Sequence, residues 1–189
     1  MAMKPGERRL QILQTLAAML ENPRSEKVTT AALAKKLDVS EAALYRHFAS
    51  KAQMFEGLIE FIETTLFSFV NRITSETVEG VAQAEQTVVM LLSFAEKNPG
   101  MTRVLIGEAL VNEDERLQAR INQLTDKLEA VLRQSLRIAQ AANGWHGDAQ
   151  ADAAVLIAYV LGRWQLFAKS GFKRTPQDGW ALQRKFLFG

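Results

Sequence analysis

The sequence predicts an all-α protein of about nine helices, with an N-terminal helix-turn-helix domain followed by a helical dimerisation body. Three observations predict it. Apolar residues recur at three- and four-residue steps along most of the chain, the spacing that gathers them on one helix face. Alternating β-branched runs are absent, and only four prolines interrupt the 189 residues. Two short helical stretches near the N-terminus are separated by a turn of three or four residues, the spacing of a helix-turn-helix.

The elements follow in order. Leu10, Leu13, Leu16, Ala17 and Leu20 predict an amphipathic helix over 7–21, closed by Asn22-Pro23. Thr29-Thr30 offers the cap of a short helix carrying Leu33, Ala34 and Leu37. Asp38-Val39 is a tight turn, and Ser40 caps a second short helix from Glu41 to His47. Ser50 caps again, and an apolar helix runs from about Lys51 to Ile73. Thr74 to Gly80 is polar and predicts a loop. Val88, Val89, Leu91, Leu92 and Phe94 form the core face of a helix over 82–97, which Asn98-Pro99-Gly100 breaks. A short helix is expected over roughly 101–110. Leu117, Ile121, Leu124, Leu128, Val131 and Leu132 then lie on one stripe of a helix over 113–141, stopped by Asn143-Gly144. Residues 148–169 form a strongly apolar helix ended by Gly171, and Pro176 opens a last one ending near Phe188.

Composition narrows the function. With 48% hydrophobic and 23% charged residues, the chain can bury a real core and is not mostly disordered. The absence of cysteine excludes a disulfide scaffold, a zinc finger, an iron–sulfur site and a thiol nucleophile. His47 and His146 leave little for a histidine metal cluster, so no cofactor is expected. No unbroken apolar run approaches the roughly 20 residues that cross a bilayer. Arg8 and Arg9 interrupt any signal-peptide core, so a cytoplasmic location without a membrane partner is expected. The net charge of +2 is unevenly placed. Residues 1–51 hold nine Lys/Arg against five acids, while 52–189 hold 14 against 16. A basic quarter (1–51) on an acidic body (52–189) suits a polyanion-binding module joined to something else.

The stretch from Thr29 to Lys51 carries the chemistry. Leu33, Leu37, Val39, Leu44 and Phe48 face inward and set the angle between the two short helices. Ala42 and Ala43 leave the second helix narrow enough to approach base edges in a major groove. Thr29, Thr30, Ser40, Tyr45, His47 and Lys51 supply hydroxyl, imidazole and ammonium donors for phosphate oxygens. Ser40, Glu41, Ala42 and Tyr45 stand nearest the bases, and Glu41 can accept from a cytosine amino group. Helix capping is the other role open to Thr29, Ser40 and Ser50.

Leu44-Tyr45-Arg46-His47-Phe48 followed by Ser50-Lys51 resembles the DNA-binding domain of the TetR family, whose hallmark is Y-x-H-F and then a lysine opening the fourth helix. The resemblance implies a TetR-like fold in which three helices bind double-stranded DNA and the last two long helices make a homodimer. VSEAALYRHF, MFEGLIEFIE, ERLQARINQL and residues 96–105 are similar to one branch of that family, the nucleoid occlusion proteins. That likeness implies a nucleoid-associated protein, not an enzyme, that binds palindromic chromosomal sites. It then engages the C-terminal tail of the division protein FtsZ and antagonises Z-ring assembly over the nucleoid. Phe61, Met90, Ser93, Lys97 and Asn98 match the branch's positions for that tail. The branch has arginine where Phe69 and Lys97 stand here, and glycine where Ser93 stands. The alternative is a ligand-responsive TetR-type repressor, in which Trp164, Phe167, Tyr159 and Phe94 would line a small-molecule pocket, core packing being the commoner role for such side chains. No nucleophile–base pair, phosphate loop or metal-ligand spacing points to an enzyme. Glu113-Asp114-Glu115 suits a solvated helix start.

Overall fold

The computed structural model describes residues 5–22 and 28–189. Pro23, the expected stop of the first helix, lies outside the described residues, as do Lys4, Arg24, Glu26 and Lys27 of the charge count. Among the described residues there are nine α-helices and no strand. They are α1 (Pro5–Leu20), α2 (Thr30–Lys36), α3 (Glu41–Tyr45), α4 (Lys51–Glu76), α5 (Gly80–Lys97), α6 (Pro99–Leu105), α7 (Glu115–Ala141), α8 (Ala149–Lys169) and α9 (Trp180–Phe188). A 3-10 turn, Glu108–Leu110, precedes α7. Packing divides the chain into two units. One comprises the chain through Ile62 together with Pro99–Ile121, the other Glu63–Asn98 with Asn122–Gly189.

In the first unit, Ile12, Leu16, Leu33, Leu44, Phe48, Met54 and Leu58 are buried. The buried face of α1 is shifted from the expected stripe. Ile12 is fully buried, whereas Leu10 is 39% exposed, because the core side follows Ile12, Leu13, Leu16, Ala17 and Leu20. Arg103 of α6 donates to the carbonyl of Leu20 at 2.9 Å, satisfying an end carbonyl of α1. The expected helix over 101–110 is two pieces. At Gly107 the backbone turns to φ 77°, a left-handed conformation that glycine adopts without a Cβ clash, and this ends the α-helical path.

The second unit is built on α5, α7 and α8. Leu124, Leu128, Leu132 and Leu136 of α7 are buried, and Val131 is half-buried. Gly80 opens α5 against α7: a Cβ there would lie 2.2 Å from the Ser135 carbonyl oxygen and 2.4 Å from the Ala139 nitrogen. The Trp164 indole of α8 donates to the Leu91 carbonyl of α5 at 3.1 Å.

Two further boundaries differ from expectation. Thr74 and Ser75 continue α4 rather than forming a loop, because their hydroxyls donate back to the carbonyls of Val70, Asn71 and Arg72 within the helix. The last helix begins at Trp180, not Pro176. The Arg163 guanidinium takes the carbonyls of Thr175, Pro176 and Asp178 at 2.8–2.9 Å, which holds 175–179 as a turn.

Helix α8 also corrects the expectation about length: it is long and apolar enough to cross a bilayer by length and composition. Alanines raise its average around Asp152 and Arg163, so no unbroken apolar run announces it. Its Leu156, Ile157, Val160, Trp164 and Phe167 are buried, the pattern of a core helix.

Candidate nucleic-acid interface

Two caps and two buried anchors set the recognition segment. The Thr29 hydroxyl accepts from the Ala32 amide at 3.1 Å and starts α2, and the Ser40 hydroxyl accepts from the Ala43 amide at 3.2 Å and starts α3. Each hydroxyl keeps its own proton, so capping leaves a donor for a phosphate oxygen. Between the caps, Asp38 adopts φ 54°, a left-handed turn that an aspartate tolerates. Leu44 and Phe48 are 1% and 2% exposed and pin α3 to the core. Helix α3 stops at Tyr45 rather than His47, because the chain turns to bury Phe48 and reach the Ser50 cap of α4.

Glu41, Ala42 and Tyr45 of α3 are exposed, so the side of α3 expected to meet DNA is open. Three of the expected DNA residues form one cluster. The Thr30 hydroxyl donates to Glu41 at 2.6 Å, and the Tyr45 hydroxyl stands 3.5 Å from Thr30 Oγ1. This ties the start of α2 to the first turn of α3 and takes the proton that Thr30 would offer a phosphate. Lys51, at the first position of α4, is paired with Glu113. His47 is half-buried, and its backbone carbonyl accepts from Arg9 at 2.6 Å.

Arg9 was not legible as a site residue. Its guanidinium also stacks over the Phe48 ring, 4.2 Å from the centroid, so one α1 side chain holds the exit of α3 twice. Its partners, His47 and Phe48, lie 38 and 39 residues away, and no local pattern marks it. Gln53 does have a local signal. Ser50-x-x-Gln53 has the spacing of a capping box: the Gln53 amide donates to the Ser50 hydroxyl at 3.1 Å, and the Gln53 side chain accepts from Ala49 at 2.8 Å. Glu113 was read only as part of a solvated helix start, yet it is mostly covered and pairs with Lys51.

The partner candidates are placed as follows. Met90, Ser93 and Lys97 follow one another at three- and four-residue steps on α5, on the side away from buried Val88, Leu91, Leu92 and Ala95. Met90 and Ser93 are half-buried and Lys97 is exposed. Asn98 closes α5, its side chain donating to the Phe94 carbonyl at 2.8 Å. Phe61 is half-buried on α4, in the first unit, whereas the other four belong to the second.

The aromatics expected around a ligand pocket are packing groups instead. Trp164 and Phe167 are 1% and 2% exposed, and Tyr159 bonds Gln183 of α9. Burial raises the Tyr159 phenol above its usual range, with nearby Arg163 opposing the shift. A cavity of about 580 Å³ does lie in the second unit, walled by Phe67, Val70, Thr74, Val131 and Ile138 with Gln83 and Lys127.

Comparison with known proteins decides the family. Residues 25–58 match the model described as bacterial regulatory proteins, tetR family, and 79–189 match the SlmA-like tetracyclin repressor-like C-terminal domain. The chain is 50% identical to nucleoid occlusion factor SlmA of Vibrio cholerae over 95% of each chain. It is 49% identical to SlmA of Alteromonas mediterranea over 94% of this chain and 92% of that one.

The chain belongs to the SlmA-like group of the TetR family.

The fold of that family is borne out by solved structures. The TetR-family regulator PfmR of Thermus thermophilus has a TM-score of 0.77 at 19% identity, covering 94% of this chain and 97% of that one. FadR of Bacillus halodurans has a TM-score of 0.81 at 13% identity, covering 99% and 97%. TetR-family proteins are regulators that bind DNA through such a helix-turn-helix, and the Arg9 clamp concerns how firmly it is presented. Arg9→Ala is expected to weaken binding to a palindromic duplex about five- to tenfold, the worth of one exposed hydrogen bond of about 1 kcal/mol. Arg9→Lys keeps the charge but loses the planar fork, and is expected to bind as weakly as the alanine variant. Fluorescence anisotropy measures both, and full rescue by lysine would contradict the clamp.

Proposed function

We propose that this chain is a nucleoid occlusion protein. It binds palindromic chromosomal DNA as a homodimer and, once bound, holds the C-terminal tail of FtsZ and opposes Z-ring assembly over the nucleoid. One observation carries the reading: the likeness to SlmA runs through the body, residues 79–189, as well as through the DNA-binding segment. The protein works in the cytoplasm on the chromosome. Residues 1–51 serve DNA and 52–189 serve the dimer and the partner.

In the DNA complex, Ser40, Glu41, Ala42 and Tyr45 face base edges while Thr29, Thr30, His47 and Lys51 contact phosphates. The two recognition helices of a dimer then sit about 34–36 Å apart and read a two-fold palindrome. The α5 face of Met90, Ser93 and Lys97, ended by Asn98, offers adaptable apolar area beside a cation, suited to an acidic and partly apolar tail. Phe61 is assigned to the same partner by resemblance alone.

The dimer is supported by an uncovered apolar surface. Ala151, Ala154, Val155, Ala158, Gly162 and Leu166 line one exposed side of α8, small residues that let a partner helix come close. On α9, Leu182 is 69% and Phe186 91% exposed. Tyr159 and Trp180, ring centroids 6.1 Å apart, hold the two helices together. Apolar area presented on both elements is the signature of an interface, and a second copy covers it about a two-fold axis. A ligand-responsive repressor is the second reading, favoured by the cavity of about 580 Å³.

Two measurements follow. Phe186→Glu is expected to sediment as a 21.1 kDa monomer at micromolar concentration and to lose palindrome binding, whereas the unaltered chain sediments as a dimer. An unaltered chain that sediments as a monomer would refute the interface. Pelleting of FtsZ polymers formed with GTP is expected to fall when the protein is added with a palindromic duplex that it has selected from a random library. Polymer mass unchanged by the protein–duplex complex would contradict the division role.

A further inference from the structure

Lys51 is an electrostatic misfit where it stands. It is the first residue of a 26-residue helix, at the end that carries the positive pole of the macrodipole and favours anions. The first turn of α4 contains no acid to offset it. The missing anion comes from Glu113, 62 residues along the chain, whose carboxylate pairs with the Lys51 ammonium. The pair is largely covered, with side-chain exposures of 24% for Lys51 and 13% for Glu113.

Local structure holds Glu113 in place. The preceding Asn112 adopts φ 70°, and the Glu113 amide donates to the Leu110 carbonyl at 2.9 Å, so the turn after the 3-10 segment directs the carboxylate. The neighbouring cations are otherwise engaged. Arg103 is bound to Glu108, and Arg116 to Asp114, with Glu56 at 3.7 Å.

We propose that Glu113 is an affinity-determining residue of the DNA interface: it stands in for a backbone phosphate on Lys51, and DNA must displace it. The inference rests on the reading of Lys51 as a phosphate contact. It has a specific electrostatic consequence. DNA binding breaks the Lys51–Glu113 pair, so Glu113 lowers affinity. The number of phosphates neutralised is the same with or without Glu113, so the Lys51 contact keeps its slope of about 0.9 in log K against log salt.

The test is DNA binding by anisotropy across a salt series, on the self-selected palindromic duplex, for four proteins: unaltered, Glu113→Gln, Lys51→Met and the double variant. Glu113→Gln is expected to bind about fivefold tighter per protomer at low salt, the upper range for a partly exposed ion pair. Its salt slope should match that of the unaltered chain, whereas Lys51→Met should lose about 0.9 per protomer. In the Lys51→Met background, Glu113→Gln is expected to leave affinity unchanged. The double variant leaves no unpaired charge, so it keeps the comparison readable should the single variant fold poorly. Equal tightening in both backgrounds would mean a general charge effect and overturn the proposal. So would an unchanged affinity in Glu113→Gln while Lys51→Met still weakens binding. If Lys51→Met binds as the unaltered chain does, the phosphate reading of Lys51 fails, and the inference with it.

Discussion

A helix of five residues cannot fix its own direction. It closes too few internal hydrogen bonds to offset the cost of nucleation, so its geometry must be imposed from outside. Helix α3 is that short, and it is the element offered to DNA. Four kinds of contact impose its direction. Ser40 caps its start, Leu44 and Phe48 anchor its inner side, the Thr30–Glu41 bond ties it to α2, and Arg9 of α1 holds its exit. The small exposed residues on its other side are tolerated only because these contacts do the holding.

The same contacts explain why the site is poised rather than open. Of the candidate phosphate ligands, Thr29 keeps a free donor beside its cap, whereas Thr30 and Lys51 are each bound to a carboxylate. Glu41 and Glu113 thus play related parts on two sides of the segment. Each satisfies a polar group that DNA would otherwise satisfy, which keeps the free protein from leaving donors unpaired. In the proposed complex, binding is an exchange of partners whose strength depends on the acids as much as on the bases.

Much of this was legible from residue order. The caps at Thr29, Ser40 and Ser50 and the inward Leu33, Leu44 and Phe48 follow from local rules and stand where those rules put them. The leucine stripe of α7 is equally direct, because one face of a long helix repeats its pattern many times. What was not legible is long-range. Arg9 on His47, Glu113 on Lys51 and Arg163 on the 175–178 carbonyls join segments whose spacing in sequence carries no signal. Composition misled at Thr74-Ser75, where hydroxyls that bond their own helix look like loop residues. At α8 the helix itself was legible as strongly apolar, and what the sequence left out was that it is long and apolar enough on average to cross a bilayer. The partner candidates rest on resemblance alone, since Met90, Ser93 and Lys97 follow the spacing of any exposed helix face.

In the proposed function, DNA-bound protein holds the FtsZ tail. The direct measurement is the anisotropy of a labelled FtsZ C-terminal peptide titrated with the protein, with and without the self-selected palindromic duplex. The account predicts saturable binding that tightens when the duplex is present. No binding in either state would contradict it and leave a TetR-type repressor as the reading of the fold.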